Sequence, residues 1–304
     1  KLFLPFLYYY KRGLTQSDIA KKMSMSRQRV NRLLKKAVQE NIVQITIVDS
    51  DKYNFELESK LEEKFNLNQC VVVSTIDEKN LIPELGLAGA EYLNDVLKED
   101  DILGVTFGRA LSEVAKKLKP NIDLNVSVVQ LVGGMNIAFS DLEPDDITRT
   151  IAKKLGGESF ILYAPVIVES KETKEAIMSD YSLKRTFEKM EKCDYIIAGI
   201  GELKEDTTWY KESSFNKQYK EHLRSKGCVG DMGFRWYDKD GKIVEHEYDD
   251  RIIGYSILKK KNDALVIGIA GGKKKHEAIL GALKGGYLDV LITDNETADI
   301  LINQ

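Results

Sequence analysis

The segment SMSRQRVNRLLKKA, residues 24–37, holds three arginines and two lysines in a chain whose formal net charge is −3. Its apolar residues recur at i, i+3, i+4 and i+7 from Val30, which predicts an apolar stripe along one face of a helix. Arginine, asparagine and glutamine on the other side can make paired hydrogen bonds to guanine and adenine edges in a DNA major groove. The candidate DNA contacts are Arg27, Gln28, Arg29, Asn31, Arg32 and Lys35.

The residues before this basic helix predict a second helix packed against it. Thr15 is a suitable N-cap, and Asp18 stands three residues later as a capping-box partner. A turn at Ser24-Met25 follows, and Ser26 caps the basic helix. This arrangement predicts a helix-turn-helix whose second helix lies in the major groove of double-stranded operator DNA. The alternative is an ordinary helix with a solvated basic face, but the agreement of caps, turn and apolar faces favours DNA binding.

Charge is divided unevenly along the chain. Residues 1–45 hold ten Lys and Arg against two acidic residues, a balance of +8, whereas the remainder has a balance of −11. This asymmetry predicts a small nucleic-acid-binding domain on an acidic body. Three scattered cysteines without a C-x-x-C pair predict neither disulfides nor a zinc site. No apolar run in the sequence is long enough to span a membrane, and we expect a cytoplasmic protein with no membrane partner.

The remainder of the chain alternates short apolar runs with helical patterns. Continuous apolar runs are typical of strands that are buried on both faces. The predicted fold class is α/β, with the helix-turn-helix followed by a mostly parallel, Rossmann-like sheet. We expect strands at 70–74, 102–107, 126–132, 195–201, 264–270 and 289–294, and helices at 81–98, 109–118, 145–155 and 274–284.

Four of the apolar runs end in glycine, at Gly108, at Gly133-Gly134, at Gly201 and at Gly271-Gly272. In parallel α/β sheets the ligand lies beyond the carboxyl ends of the strands, where glycine lets the backbone approach it closely. The three lysines 273–275 then stand at a helix start, where the helix dipole favours negative charge. Their placement predicts a bound anion such as phosphate. The alternative is three flexible lysines that point into water.

Other polar residues carry weaker signals. Asp231 follows a glycine and is a candidate for contacting sugar hydroxyls, and Arg251 is a candidate ligand contact or a structural salt bridge. The composition of YDKDGK, residues 237–242, predicts a hairpin turn. The three histidines form no triad and no metal-binding spacing, and neither a G-x-G-x-x-G nor a Walker A pattern occurs. We therefore predict no catalytic residue, no metal and no cofactor.

The predicted domains are a DNA-binding domain at 1–50, a linker helix at 51–67 and an effector-binding and oligomerisation domain at 68–304. Residues 41–48 alternate apolar and polar side chains and predict a short strand of the kind found in a wing. Residues 54–66 fit a linker helix and a dimer contact equally well.

Longer stretches of the chain resemble the SorC family of bacterial sugar-binding transcriptional regulators. The similarity covers nearly the whole chain, from YYYKRGLTQSDIAKKMSMSRQRV through DDILGVTFGRAL to IAGGKKKHEAILGALKGGYLDVLITDNETADIL. The AGG-x-x-K-x-x-A-I order and the L-I-T-D-x-x-T-A ending of the last block are its most specific motifs.

The resemblance implies an effector domain similar in fold to sugar-phosphate isomerases. It also implies a homo-oligomer, usually a tetramer, and a phosphorylated sugar as the effector. By position, Lys275 holds the phosphate and Asp231 contacts the sugar. With Phe107 and Arg251 added, the candidate effector contacts are Gly104, Thr106, Phe107, Gly108, Arg109, Gly133, Gly134, Met135, Asp231, Arg251, Gly271, Gly272 and Lys275.

Two departures from the family pattern limit what can be transferred. Phe107-Gly108-Arg109 places a large cation where many members have a small polar residue, and Asn31 replaces the commoner serine. The effector and the operator sequence therefore stay open, as does the sign of regulation. The main alternative is an active sugar-phosphate isomerase with an accessory DNA-binding domain, for which Asp231 would be the base. A body that serves only assembly is a further alternative.

Overall fold

The chain divides into two compact units, Lys1–Ser50 and Asp51–Gln304. A computed structural model of the protein describes residues 4–39, 42–43, 55–75, 77–134, 144–203, 217–259 and 263–304.

The first unit is helical in its described residues. Helix α1 (Leu4–Phe6) continues as a π-helical turn (Leu7–Lys11), and α2 (Gln16–Lys22) and α3 (Arg27–Gln39) follow. The predicted capping box is present, because Asp18 N donates to Thr15 Oγ1 at 3.2 Å and Thr15 N donates to Asp18 Oδ2 at 3.3 Å. Arg29 N donates to Ser26 Oγ at 3.2 Å, which confirms the cap of α3.

The helices of this unit enclose a small apolar core. The predicted apolar stripe of α3 is confirmed, since Val30, Leu34 and Ala37 are buried and Leu33 is half-buried. Ile19 and Ala20 of α2 pack into the same core. The strand predicted at 41–48 lies outside the described residues, apart from Ile42 and Val43.

A parallel sheet organises the second unit. Its strands are β1 (Gln69–Val73), β2 (Ile102–Val105), β3 (Val126–Gln130), β4 (Gly156–Phe160), β5 (Tyr195–Gly199), β9 (Leu265–Ile269) and β10 (Val290–Asp294). Within the described residues these seven strands have the order β1-β10-β9-β5-β2-β3-β4, and each neighbouring pair is parallel.

Successive residues of these strands enter opposite apolar layers. Ile196 packs into one layer and Ile197 into the other, and both side chains are fully buried. The apolar runs therefore lack a polar alternation, as expected of a sheet covered on both faces. The described α-helices of this unit are α4 (Phe55–Phe65), α5 (Leu81–Val96), α6 (Arg109–Lys117), α7 (Pro144–Leu155), α8 (Lys171–Met178), α9 (Tyr181–Met190), α10 (Lys217–Ser225), α11 (His276–Lys284) and α12 (Asn295–Asn303).

A small antiparallel sheet lies beside the carboxyl end of β5. It consists of β6 (Gly201–Glu202), β7 (Cys228–Met232) and β8 (Arg235–Asp238), in that order. Gly233 and Phe234, the two residues between β7 and β8, have φ values of 62° and 60°. The hairpin turn predicted at YDKDGK is confirmed, because Asp240 N and Lys242 N both donate to Asp238 Oδ1 at 2.9 Å.

The strand order reverses between β2 and β5. The chain runs outward from β2 through β3 to β4, and then returns to place β5 on the other side of β2. In open α/β sheets a ligand binds in the crevice at such a reversal, outside the carboxyl ends of the strands. The α/β fold class is thus confirmed, and so are the predicted strands at the positions of β1, β2, β3, β5, β9 and β10.

No helix in the described part of the chain is long and apolar enough to cross a membrane.

Candidate functional site

The outer face of α3 is exposed and basic. All six candidate DNA contacts, from Arg27 to Lys35, are exposed side chains outside the buried stripe. Helix α3 follows a turn in which Ser24 has a φ of 50°. A helix whose one face is buried and whose other face offers arginine and amide donors has the chemistry required to read base edges.

The loop after β2 lies at the point where the strand order reverses. Thr106 is buried; its N–H donates to Ile197 O at 3.2 Å, and its Oγ1 accepts from Gly199 N at 3.3 Å. Phe107 stacks on Phe234 at 5.3 Å between ring centroids. The structure therefore joins the β2 loop to the end of β5 and to the β7–β8 turn.

Gly108 and Arg109 complete this loop. Gly108 has a φ of 136° and precedes the first residue of α6, a conformation that a side chain rarely adopts. Arg109 starts α6, and its charge adds to burial, the larger cause, in lowering the pKa of Lys275. The cation that departs from the family pattern thus lies within electrostatic range of the predicted phosphate lysine.

Asp231 is buried beside the end of β5. Its Oδ2 accepts from Phe234 N at 2.9 Å, and it is paired in register with Gly201 of β6. A Cβ on Gly201 would overlap Asp231 Oδ1, so glycine is required there for the carboxylate to fit. Burial raises the pKa of Asp231 to about 6, against the lowering effects of the Phe234 N–H and the Lys275 charge.

Lys275 reaches the same crevice from the start of α11. Its Nζ donates to Ile200 O at 2.6 Å, at the junction of β5 and β6. Burial lowers the pKa of Lys275, whereas the charges of Glu202 and Asp231 raise it. The charges of three residues therefore act on Lys275 beside the end of β5: those of Arg109, Glu202 and Asp231.

The Gly271-Gly272 loop is held by residues to which the sequence motifs assigned no role. Gly272 has a φ of 94°, and its N–H donates to Asp294 Oδ2 at 2.7 Å and to Thr297 Oγ1 at 3.0 Å. A Cβ on Gly271 would overlap Asp294 Oδ2. Asp294 and Thr297 belong to the L-I-T-D-x-x-T-A motif, so the family signature at this position coincides with the support of the loop.

The remaining candidate residues occupy several environments. Gly104 lies within β2, where a Cβ would meet Leu131 Cδ1 at 2.9 Å, and its lack of a side chain is explained by packing. Gly133 N donates to Ile253 O, and Gly134 N to Ala164 O. Met135 lies outside the described residues.

Arg251 is engaged by neighbouring protein groups. Its Nε donates to Val168 O at 2.7 Å, and its guanidinium lies 5.0 Å from the centroid of the Tyr248 ring. These contacts are structural, but neither of them is the salt bridge given as the alternative, and the contact of Arg251 with an effector stays a prediction.

Two family models match this chain, one for each unit. Residues 51–303 match the family described as "Putative sugar-binding domain", and residues 5–40 match the family "Sigma-70, region 4". The deoxyribonucleoside regulator of Bacillus subtilis is 31% identical over 297 residues, which cover 97% of this chain and 95% of that protein. The Escherichia coli K12 transcriptional regulator YjhU is 30% identical over 301 residues, covering 97% and 92%.

A solved structure extends the match to the fold of both units. The crystal structure of the full-length sorbitol operon regulator SorC from Klebsiella pneumoniae has a TM-score of 0.77 at 28% identity, covering 99% of this chain and 97% of that chain. The family match over residues 51–303, the full-length relatives and this structural similarity point to one family. The chain belongs to the SorC family of sugar-binding transcriptional regulators.

Proposed function

We propose that the chain regulates a carbohydrate-utilisation operon and that its effector is a phosphorylated sugar bound where the strand order reverses. The observation that carries the proposal is the position of Lys275. Its ammonium group stands beyond β5, among Arg109, Glu202 and Asp231. An anionic group is attracted by the two cations, and the carboxylates can accept hydrogen bonds from sugar hydroxyls.

In this proposal one unit binds DNA and the other binds the effector. Residues 1–50 bind double-stranded operator DNA through the outer face of α3, and residues 68–304 bind the effector and form a homo-oligomer, a tetramer by family resemblance. Residues 51–67 connect them. The protein acts in the cytoplasm and needs no cofactor. The relatives that support regulation are a sorbitol operon regulator and a deoxyribonucleoside regulator.

Thermal-shift measurements on the full chain test the effector site. The panel consists of glucose 6-phosphate, fructose 6-phosphate, ribose 5-phosphate and 2-deoxyribose 5-phosphate, each beside its unphosphorylated sugar. A ligand that binds only the folded state raises the melting temperature by mass action. We expect a shift from one or two phosphates and little shift from their parents.

Lys275→Ala shows whether the shift comes from the proposed site. We expect this variant to lose most of the shift caused by the phosphorylated sugar. Lys273→Ala is the matched control, because Lys273 is exposed in the same loop and pairs with Glu296 at 2.9 Å on the surface. A flat panel with the wild-type chain would contradict the proposed effector class, and equal shifts in Lys275→Ala and wild type would contradict the proposed site.

A second function, sugar-phosphate isomerisation, has one observation in its favour. The pKa of Asp231, raised to about 6, is close to the value that suits a general base near neutral pH. We propose that the site binds without turnover, because the relatives at hand are a deoxyribonucleoside regulator and a sorbitol operon regulator. NMR of ribose 5-phosphate and glucose 6-phosphate incubated with the protein is expected to show no conversion. Conversion that disappears in Asp231→Asn would instead identify an isomerase.

A further inference from the structure

Helix α12 contacts the candidate effector loop at its first turn. Asp294, its N-cap, accepts from Gly272 N at 2.7 Å and from Thr297 N at 3.0 Å. Thr297 Oγ1 donates to Asp294 Oδ2 at 2.6 Å and accepts from Gly272 N at 3.0 Å. Both side chains are buried. Three hydrogen bonds converge on one carboxylate, so a displacement of Gly272 acts directly on the start of α12.

The other end of α12 contacts α4. Lys64 Nζ donates to Leu301 O at 3.2 Å and to Ile302 O at 3.0 Å. The last carbonyls of a helix have no partner inside the helix, and a cation is favoured at that end by the helix dipole. The ammonium group of Lys64 therefore links α4 to the C-terminal end of α12, where a positive charge is favoured.

Helix α4 is in turn attached to the edge of the sheet. Glu62 Oε1 accepts from Cys70 N and Glu58 Oε1 accepts from Val72 N, both at 2.8 Å. Leu61, between these two glutamates, is fully buried. The helix is therefore fixed to β1 on one side and to α12 on another, and among the described residues it is the first helix after the DNA-binding unit.

We propose that α12 transmits the occupancy of the effector site to α4, and that Lys64 is the residue through which this coupling passes. The proposal rests on the proposed function, since it assigns a regulatory route to that same site. A ligand at Gly271-Gly272 shifts the loop, and the bonds to Asp294 and Thr297 pass the shift to α12. A helix of nine residues, about 13 Å long, moves as a unit. The coupling requires the ligand to bind two arrangements of α4 with different affinity.

Lys64→Met tests the route at a residue that belongs neither to the candidate DNA contacts nor to the candidate effector contacts. Methionine keeps an unbranched apolar stem but cannot donate to the carbonyls of α12. Lys60→Met is the matched control, because Lys60 is exposed on the same helix and the charge change is identical. The full-length variants are titrated with DNA duplexes that the wild-type protein selects from a random pool, with and without the panel sugar phosphate that gives the largest thermal shift.

The wild-type chain and Lys60→Met are expected to change their DNA affinity on ligand addition, by roughly 5- to 150-fold if the coupling is of typical strength. In Lys64→Met the same ligand is expected to give the same thermal shift, but the DNA affinity should change by less than about twofold. Thr297→Val, which breaks the other end of the route, is expected to reduce the response as well.

The outcomes separate this inference from the proposed function. If the sugar phosphate shifts the melting temperature of the wild-type chain and still changes the DNA affinity of Lys64→Met as in wild type, the route is wrong. The proposed effector site is not contradicted by that result. A wild-type chain that binds the sugar phosphate but shows no change in DNA affinity would also overturn it. If no sugar phosphate binds the wild-type chain, the proposed function fails first. Should Lys64→Met melt well below Lys60→Met, Lys64→Leu replaces it, because leucine also lacks a donor, and an unaltered response in that variant has the same meaning.

Discussion

The outer face of α3 and the crevice at the end of β5 both collect charged residues, but they do so under opposite conditions. The charged and amide side chains on this face of α3 are exposed to solvent. Asp231 and Asp294, in contrast, are buried, and each accepts backbone N–H groups at defined distances. Exposed charges are screened and cost little free energy, whereas a buried charge needs partners.

This difference shows which substitutions separate binding from stability. On α3 a side chain can be removed without leaving a buried group unpaired, so only the contact with DNA is lost. In the crevice, Asp231 and Asp294 support the loop geometry, and in the proposed function Asp231 also faces the ligand. Variants there are expected to change the free energy of unfolding as well as ligand binding.

The largest expected effect is that of Asp294→Ala. The substitution leaves Thr297 N and the Thr297 hydroxyl without their acceptor, takes one of the two acceptors from Gly272 N, and removes the N-cap of α12. Unpaired buried groups and a lost cap together predict a decrease of about 3–5 kcal/mol in the free energy of unfolding. Chemical denaturation monitored by circular dichroism measures this quantity.

Glu296→Ala provides the control for Asp294→Ala. Glu296 is exposed on the first turn of the same helix and pairs with Lys273 on the surface. Surface pairs contribute about 0–1 kcal/mol, so this variant should unfold close to wild type. Equal stability of the two variants would show that the buried carboxylate does not hold the loop.

A smaller effect, confined to binding, is expected on α3. Arg32→Ala and Asn31→Ala should each weaken binding to the selected DNA duplex by about 1–3 kcal/mol, because each removes a candidate base contact. Their melting curves should match wild type, since both side chains are exposed. Fluorescence anisotropy against selected and scrambled duplexes measures the specificity. Lys119→Ala, an exposed lysine of the second unit, controls for loss of charge.

A large loss of stability in either α3 variant would show that the helix faces were assigned wrongly. Unchanged DNA affinity in both variants would remove the outer face from the specific contact.

Sequence periodicity correctly predicted the helix face and the strands whose burial leaves a repeat in the sequence. The apolar stripe of α3, its cap at Ser26 and the buried strands follow from local patterns, because burial on one or both faces leaves a period in the sequence. Strand β4, with the sequence GGESF, was not predicted: it is short, begins with two glycines and is only partly buried. A Cβ on Gly157 would overlap Val126 O, so this strand is defined by close approach to β3 rather than by apolar residues.

The crevice was predictable only in part. Glycines at strand ends indicated where the loops meet, and the family motifs indicated Lys275 and Asp231. The roles of Glu202, Asp294 and Thr297 depend on which strands are neighbours, since β9 and β10 come together only in the folded sheet. Single-sequence patterns carry no information on that pairing. The D-x-x-T spacing at 294–297, which is typical of an N-cap, is a local signal that could have identified Asp294.

The smallest effect concerns the pH dependence of stability at Asp231. Because burial raises its pKa from 3.8 to about 6, the folded protein binds this proton more tightly than the unfolded chain does. Its contribution to stability is therefore fully present below about pH 4 and is lost as the pH rises through about 6. The asparagine introduced by Asp231→Asn does not titrate, and its side-chain oxygen can still accept from Phe234 N.

We therefore expect Asp231→Asn to unfold with a free energy on the order of 1 kcal/mol above wild type at about pH 7.5, and this advantage should disappear at about pH 4. Denaturation curves of both proteins across this pH range measure the difference. The ionised carboxylate that costs stability at neutral pH is the group that we propose to receive the sugar, so the more stable variant should bind sugar phosphates less well. A pH-independent difference would mean that Asp231 is as well solvated as the exposed charges of α3.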